Sequence, residues 1–360
     1  MLRTERLRSC GLYADASTHD SRLTLANVRA AADAGAAVLN YAEVVALRQE
    51  HGRITGAEVS AEGAHFAVRA RAVVNAAGPW IDRVRRLEDP RAARSVRLSK
   101  GVHVVLGHDR PWSAALTIPH DKVRVSFAVP WEGLLLLGTT DTVYEGEPDE
   151  VDVAAEDVDQ VLDEAAVALT PDALDRRLIR STFAGLRVLP GGDGPTARAH
   201  RDTVFTRGSA GMLSVAGGKL TTYRRIASAA LEQLRAELAL HRIDREPQPL
   251  PGAKGLDRVR FPDELDAATR THLLRHYGSL AEEVLAPAAE DPSLLDPLVP
   301  GAPELAAQAL YAGTHEWART PEDVLRRRTT LAVRGLSTDA EARVRELLDG
   351  ARHPSRGVAM

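Results

Sequence analysis

The stretch SVAGGKLTTYRR, residues 214–225, joins a short apolar run to a helical pattern through two adjacent glycines. The apolar run 212–216 predicts a buried strand, and Gly217 with Gly218 predicts a tight turn. A helix is predicted over 222–240 from one apolar stripe: Ile226, Ala230, Leu234 and Leu238. Such a turn suits an anion or a dipole, because backbone N–H groups point outward and the missing Cβ atoms let a ligand approach closely.

This stretch is not the phosphate loop of a nucleoside triphosphatase. That loop needs a glycine six residues before its lysine and a serine or threonine directly after it. Around Lys219 those positions hold Leu213 and Leu220. Two interpretations stay open from these residues alone. Lys219 either adds a positive charge to a binding site, or it is solvated beside a turn that needs glycine for its backbone angles.

Composition narrows the class of protein. The 360 residues could form two domains, or one large domain with an appendage, and 44% of them are hydrophobic. With 46 basic and 50 acidic residues, the net charge of −4 gives no electrostatic argument for nucleic acid. Cys10 is the single cysteine, which excludes an internal disulfide and a cysteine metal cluster, and we predict no metal site. These features favour the cytoplasm, and peripheral association with the inner face of the membrane stays open.

The sequence pattern changes from mixed strand and helix to mainly helix near residue 250. Residues 42–75 alternate as in a β-meander that ends in an apolar strand, and residues 96–145 again form strand-like runs. The segment 245–255 is rich in proline and glycine and predicts a connector. Beyond it the signals are helical, as at Thr320, which precedes a proline and two acidic residues. We therefore predict a mixed domain over 1–245 and an α-helical domain over 255–350.

Three further stretches carry polar residues at the ends or on the faces of predicted strands. AVVNAAGPW (72–80) runs from a strand into small residues that would let a cofactor touch the backbone, or that simply form a turn. In RLSKGVHVVL (97–106), His103 points away from its apolar neighbours and is either a general base or a structural histidine. GTTDTVYEG (138–146) offers hydrogen-bonding groups or turn residues.

One cation stands inside an apolar run. Arg187 lies in STFAGLRVLPGGDGP (181–195). A guanidinium is costly to bury without a partner, so Arg187 is expected either to bind an anion or to form an internal salt bridge.

Taken in order, these stretches resemble the family of FAD-dependent glycerol-3-phosphate dehydrogenases. The tail EWARTPEDVLRRRTTLAVRGL (316–336) is similar to the helical C-terminal domain of that family, and the resemblance covers roughly residues 10 to 340. It implies an α/β (α+β) chain with the D-amino-acid-oxidase-like FAD-dependent oxidoreductase fold and a C-terminal α-helical domain. Within the first domain it implies an incomplete FAD-binding part and a mixed-sheet substrate part at about 95–205.

The resemblance also implies a reaction and a site. The family oxidises glycerol 3-phosphate to dihydroxyacetone phosphate, passing hydride to the flavin and electrons to a quinone. His103 matches the proposed base, and Arg187 with Lys219 matches residues that hold the substrate, Arg187 also being counted with the catalytic residues. The positions implied to bind FAD are Ala77, Gly78, Trp80, Gly217, Gly218, Lys219, Leu220 and Thr221.

One part of the family pattern is absent from the sequence. The family begins with a strand, a GxGxxG turn and a helix that hold the ADP half of FAD. GGDGPT (191–196) has neither that spacing nor a helical continuation. We therefore predict an N-terminally truncated member of the family. Two alternatives stay open: a non-catalytic fragment or subunit that needs a separate FAD-binding chain, and an amine or amino-acid oxidase of the same fold. A homodimer and association with a missing N-terminal half are both compatible with the sequence.

Overall fold

A computed structural model describes residues 2–5, 7–108, 112–121, 124–191 and 203–352. The strands in these residues are β1 (Ala42–Glu50), β2 (Arg53–Ala61), β3 (Ala64–Arg69), β4 (Val74–Asn75), β5 (Val96–Gly107), β6 (Leu116–Pro119), β7 (Val125–Trp131), β8 (Leu134–Gly138), β9 (Thr142–Tyr144), β10 (Ile179–Pro190), β11 (Val204–Arg207) and β12 (Leu213–Ala216). The helices are α1 (Asp20–Asp33), α2 (Ile81–Glu88), α3 (Ala155–Ala165), α4 (Tyr223–Gln233), α5 (Ala267–Tyr277), α6 (Ala281–Leu285), α7 (Ala306–His315), α8 (Pro321–Arg327) and α9 (Ser337–Arg352).

The first sheet is the predicted meander, in which β1, β2 and β3 pair antiparallel in chain order. Its turns fall at His51–Gly52 and Glu62–Gly63, where both residues of each pair have positive φ. Two-residue turns of this kind match the right-handed twist of the flanking strands. The alternation of the sequence therefore predicted these three strands correctly, but the apolar strand expected to end the meander, β4, pairs with β12 in another sheet.

A second, smaller sheet holds the two predicted strand-to-turn junctions side by side. β12 lies between β11 and β4, and it runs parallel to β4 with Leu213 opposite Val74 and Ser214 opposite Asn75. Because the two strands are parallel, the turns that follow them leave from the same edge of the sheet. The buried Asn75 amide donates to the Ile81 carbonyl at 3.0 Å and to Ser214 Oγ at 3.2 Å, which ties both strands to α2.

The largest sheet is antiparallel, with the order β10-β5-β8-β7-β6 and β9 paired with β5. Val104 and Leu106 on β5 are fully buried and pack in one cluster with Val161 and Leu162 of α3. Successive residues of a strand point to opposite faces, so the β5 residues that alternate with Val104 and Leu106 face away from α3. The helix therefore covers one face of the sheet and leaves the other for the site.

The C-terminal helices enclose a core of their own, which extends from Leu265 to Leu348. Thr320 caps α8 as predicted, accepting a hydrogen bond from the Asp323 N–H at 3.3 Å. None of the helices in the residues that the structure covers is long and apolar enough to span a lipid bilayer. The domain limits 1–245 and 255–350 stay a prediction.

The helix after the paired glycines is shorter than the sequence predicted. A single 3-10 turn spans Leu220–Thr222, and α4 ends at Gln233 rather than near residue 240. Arg207 donates to the Gln233 carbonyl at 2.6 Å, which satisfies one of the free carbonyl groups at the helix end. No residue within α4 is buried, although Leu234 of the predicted stripe, directly after the helix, is 3% exposed.

We expect Asp82 to be the residue that fixes α2 to the start of β5. Its buried carboxylate accepts hydrogen bonds from the Ser95 N–H at 2.9 Å, from Ser95 Oγ at 2.6 Å and from Arg85 at 2.8 Å. Burial alone would raise the pKa of Asp82, but the hydrogen bonds from Ser95 and Arg85 outweigh it and hold this pKa below its usual 3.8.

Asp82→Ala should lower the free energy of unfolding by about 3 kcal/mol at pH 7 in urea denaturation, because three donors lose a charged acceptor. The control Asp89→Ala, at an exposed carboxylate, should change it by less than about 0.5 kcal/mol. The contribution of Asp82 should be full above pH 3.8 and should fall as the pH drops through its lowered pKa. Equal effects of the two substitutions would contradict this role.

Candidate functional site

The candidate site lies on the face of the large sheet opposite α3. On this face Ser99, Gly101 and His103 of β5 stand opposite Arg187, Gly185 and Phe183 of β10. The next strand continues the row, because His103 is also opposite Gly138 of β8, which in turn is opposite Phe127 of β7. The site is therefore built from four strands, with one histidine, one arginine and two phenylalanines separated by glycines.

His103 lies flat against its neighbours on this face. Its ring stacks on Phe183 with the centroids 5.0 Å apart and the planes 15° from parallel. A Cβ atom on Gly138 would lie 2.4 Å from His103 Cδ2, so the ring occupies the space that the missing side chain leaves. Burial, followed by the positive charge of Arg187, lowers the pKa of His103 to about 4. The imidazole is therefore neutral at pH 7 and can accept a proton.

Arg187 lies on the same face, where Ser99, Thr139 and Thr140 accept hydrogen bonds from it. It donates to the Thr140 carbonyl at 3.0 Å, to Thr139 Oγ1 at 2.9 Å and to Ser99 Oγ at 3.4 Å. Its guanidinium covers Gly101, where a Cβ would lie 2.5 Å from Nη2. These hydrogen bonds orient the guanidinium, so Arg187 holds its positive charge in a defined place on the sheet face.

The polar stretch after β8 has its explanation in this network. Thr139 and Thr140 accept from Arg187, and Thr140 Oγ1 also accepts from the Val102 N–H at 3.0 Å. Asp141 accepts a hydrogen bond from Ser99 Oγ. The stretch thus positions Arg187. From the sequence alone, this role could not be distinguished from that of an ordinary turn.

An open area of the sheet face, which we call the floor, lies between Arg187 and His103. In the described part of the chain, no atom beyond its two chain neighbours lies within 4 Å of the position that a Cβ on Gly185 would occupy. Phe183 and Phe127 on the same row are 37% and 38% exposed, which is high for aromatic side chains. A flat ligand could lie on this floor between Arg187 and His103.

The predicted cofactor positions fall in the two turns that follow the parallel strands β4 and β12 of the small sheet. Ala77, Gly78 and Trp80 follow β4, where the Ala77 N–H donates to Asn75 Oδ1 at 3.2 Å. Gly78 has φ +55° and open space in front of it. The Trp80 ring donates to Asp149 Oδ1 at 2.8 Å and is 38% exposed. This turn packs against β10, the strand that carries Arg187.

The second turn holds the remaining predicted positions. Gly217 and Gly218 have φ values of +74° and +88°, as glycine allows. A Cβ on Gly218 would lie 2.5 Å from Ile226 Cδ1, so part of its role is packing within the chain. Lys219, Leu220 and Thr221 are exposed. In the part of the chain that the structure describes, the Lys219 ammonium contacts neither His103 nor Arg187.

These features fit the ring half of a flavin better than the nucleotide half. The open floor and the two glycine turns offer backbone groups and aromatic faces to a flat ring system. The sequence contains no GxGxxG turn for a pyrophosphate, and GGDGPT lies outside the described residues except for Gly191. The residues present therefore fit an isoalloxazine ring and its immediate neighbours.

Sequence reasoning missed the residues that shape the floor: Phe127, Phe183, Gly101, Gly138 and Gly185. Their signal was present in the sequence, since GVH (101–103) and STFAG (181–185) both place glycine two residues from an aromatic or imidazole ring. Only the strand register, however, brings these pairs onto one row.

Two protein families match the chain. The family described as FAD dependent oxidoreductase matches residues 2–224. The family described as the C-terminal domain of alpha-glycerophosphate oxidase matches residues 213–350.

Relatives and a solved structure agree with these matches. The chain is 36% identical over 336 residues to "Glycerol-3-phosphate dehydrogenase 2" of Mycobacterium bovis, covering 89% of this chain and 57% of the relative. It is 30% identical to "Aerobic glycerol-3-phosphate dehydrogenase" of Staphylococcus haemolyticus, covering 91% and 63%. The crystal structure of the glycerol-3-phosphate dehydrogenase from Bacillus halodurans complexed with FAD superposes with a TM-score of 0.79 at 28% identity, covering 98% of this chain and 73% of that one. The chain thus spans less than two thirds of the length of these two curated relatives.

Removing the Arg187 charge should raise the pKa of His103. In Arg187→Met the apolar chain remains but the neighbouring cation is gone, so the pKa should rise above about 4 while burial keeps it below 6.5. Nitrogen-15 NMR titration of the imidazole measures this directly. Arg85→Met, in the α2 network, is the matched control and should leave His103 unchanged. A His103 pKa that does not respond to Arg187→Met would show that the two groups do not interact.

Proposed function

The chain belongs to the family of FAD-dependent oxidoreductases, and from that membership we propose that it carries out the flavin-dependent oxidation of sn-glycerol 3-phosphate to dihydroxyacetone phosphate. The single observation that carries the proposal is the sheet face on which a neutral His103 and a cationic Arg187 flank an open floor. The relatives named as glycerol-3-phosphate dehydrogenases support the choice of substrate.

The fold class predicted from the resemblance is confirmed by this membership. The chain has the D-amino-acid-oxidase-like FAD-dependent oxidoreductase fold, followed by a C-terminal helical region. In that fold the turns after β4 and β12 are the positions at which we propose that Ala77, Gly78, Trp80 and residues 217–221 contact the cofactor. FAD, when bound, supplies the acceptor for the two electrons taken from the substrate.

His103 is the proposed base. Oxidation of the secondary alcohol at C2 of glycerol 3-phosphate requires a group that accepts the hydroxyl proton. The lowered pKa of His103, caused first by burial and then by the Arg187 charge, keeps the imidazole neutral at pH 7 and also makes it a weaker base than a free imidazole. Its stacking on Phe183 and its place over Gly138 hold the ring in one orientation.

Arg187 and Lys219 are proposed to hold the substrate. A phosphate dianion needs fixed cations, and charge-assisted hydrogen bonds to phosphate are among the strongest in proteins. Arg187 is already oriented by Thr139, Thr140 and Ser99, so little side-chain freedom would be lost on binding. Lys219 is exposed at the end of its turn and would have to reach toward the site.

The acceptor and the partners are proposed from the family resemblance alone. We propose a quinone-type acceptor, which would favour peripheral contact with a membrane. A second candidate is a subunit that retains FAD only with a separate nucleotide-binding chain, and it is favoured by the absence of a GxGxxG turn from these 360 residues.

The reaction can be tested on the purified chain incubated with FAD without oxygen. Glycerol 3-phosphate should bleach the flavin absorbance, whereas glycerol and D-alanine should not. Bleaching by an amino acid instead would support an amine or amino-acid oxidase. A protein that stays colourless after addition of FAD would favour the second candidate, the subunit that needs a separate chain.

Substitutions should separate the two proposed roles. His103→Gln should slow the bleaching by about 100-fold to 10,000-fold with little change in substrate affinity, because it removes only the base. Lys219→Ala should weaken glycerol 3-phosphate binding by about 10-fold to 100-fold, since it removes one charged contact to phosphate. Stopped-flow spectroscopy across a range of substrate concentrations measures the rate and the affinity separately.

The matched controls are exposed residues of the same types, His65→Gln on β3 and Lys254→Ala in the connector. Both should behave like the unsubstituted protein. An equal loss in Lys254→Ala and Lys219→Ala would contradict a specific role for Lys219, and full-speed bleaching in His103→Gln would reject the proposed base.

A further inference from the structure

A second cluster of chemically reactive groups lies away from the site already described, where α5 meets the large sheet. His272 and His276 are four residues apart on α5, so both point to the same side of the helix. Their ring centroids are 4.2 Å apart. The spacing His-x3-His on a helix suits two imidazole ligands of one metal ion.

The third group comes from the turn between β7 and β8. Glu132 occupies this turn with φ +51°, a backbone conformation that residues other than glycine adopt infrequently. Its carboxylate oxygens lie 3.6 Å from His276 Nε2 and 3.9 Å from His272 Nδ1. The three ligand atoms all lie within 4.8 Å of one another. Ligand atoms at about 2.0–2.2 Å from a tetrahedral zinc ion lie about 3.3–3.6 Å apart, so small side-chain movements would bring the three groups to that spacing.

The ring nitrogens of the two histidines are the candidate ligand atoms. The side chains of His272 and His276 are 4% and 1% exposed. Among the described residues, His272 Nδ1 and both ring nitrogens of His276 are buried without a hydrogen-bond partner. Buried polar atoms are normally paired, so His272 Nδ1 and His276 Nε2, which both face the Glu132 carboxylate from beyond hydrogen-bond distance, require an explanation.

We propose that Glu132, His272 and His276 bind a zinc ion. Two imidazoles and one carboxylate match the preference of Zn²⁺ for nitrogen and oxygen ligands in a set of three, with a fourth position left open. This inference does not depend on the proposed oxidation, because none of its residues belongs to that site. It also departs from the sequence analysis, which predicted no metal site although HLLRH (272–276) carried the signal.

Two polar side chains of the helical region contact the ligand residues. Arg334 donates to the Glu132 backbone carbonyl at 3.0 Å, which holds the turn against the helical region. The Gln308 amide nitrogen lies 3.4 Å from His272 Nε2, and the Gln308 amide oxygen accepts from the Leu305 N–H at 2.9 Å. Zinc at Nδ1 leaves the His272 proton on Nε2, so the Gln308 amide would have to turn its oxygen toward that nitrogen and give up the bond from Leu305.

A path from solvent reaches the cluster. A cleft of about 760 Å³ is lined by Glu132 and His276, together with His19 and Trp131. The His19 ring lies 5.1 Å from the His276 ring, and its Nε2 is also buried and unpaired. The cleft therefore gives solvent a route to Glu132 and His276. A bound ion would link α5 to the β7–β8 turn and so join the helical region to the sheet.

The test uses the full chain after treatment with a chelator. Zinc titration against a chromogenic chelator should give one equivalent bound with a sub-micromolar Kd. Co²⁺ should produce the intense visible absorption of a tetrahedral site, and saturating zinc should raise the Tm by several degrees. A chain that binds neither ion at micromolar concentration would overturn the proposal.

Variants assign the site to these residues. His272→Gln and His276→Gln should each weaken zinc binding by at least about 100-fold. Glu132→Gln, which keeps the side-chain size, provides a third variant if the helix substitutions impair folding, as judged by circular dichroism. His315→Gln is the matched control, because His315 also faces a carboxylate, Glu283 at 3.4 Å, but on the surface. Equal zinc affinity in His276→Gln, Glu132→Gln and His315→Gln would place the ion elsewhere and reject the inference.

Discussion

The structure depends on the two-sided character of β5. This twelve-residue strand pairs with β10, β8 and β9, so it holds the large sheet together through its backbone. Because side chains alternate between faces, Val104 and Leu106 enter the core beneath α3 while His103 stands on the opposite face. A shift of one residue in the pairing would bury the imidazole and expose the core, so packing against α3 also fixes the site.

The shape of this face depends on three glycines. Gly101 and Gly138 leave the spaces that the Arg187 guanidinium and the His103 ring fill, and Gly185 leaves the space between them open. Both groups therefore lie flat on the sheet instead of projecting from it, and their closeness is what lowers the pKa of His103 beyond the effect of burial. The same arrangement that keeps the imidazole neutral also places a positive charge beside it.

The two turns of the small sheet and the cluster at α5 have a similar position in the fold. In each case residues distant in the chain meet where strands end: the turns after β4 and β12 at one edge of a parallel pair, and Glu132 in the turn after β7. Strand ends can carry strained or polar residues because the sheet behind them supplies the rigidity. The contact of Arg334 with Glu132 extends this rigidity to the C-terminal helices.

The sequence by itself determined the local elements and the kind of chemistry. Alternation predicted the meander and β5, the cap at Thr320 predicted α8, and the ordered motifs predicted the family. Only the tertiary structure decided which residues share a surface. Whether Arg187 contacts the stretch after β8, whether Gly185 is an open floor, and whether His272 and His276 meet a carboxylate all depend on strand register and helix packing. Those contacts join residues up to 144 positions apart, as for Glu132 and His276, and no local pattern encodes them.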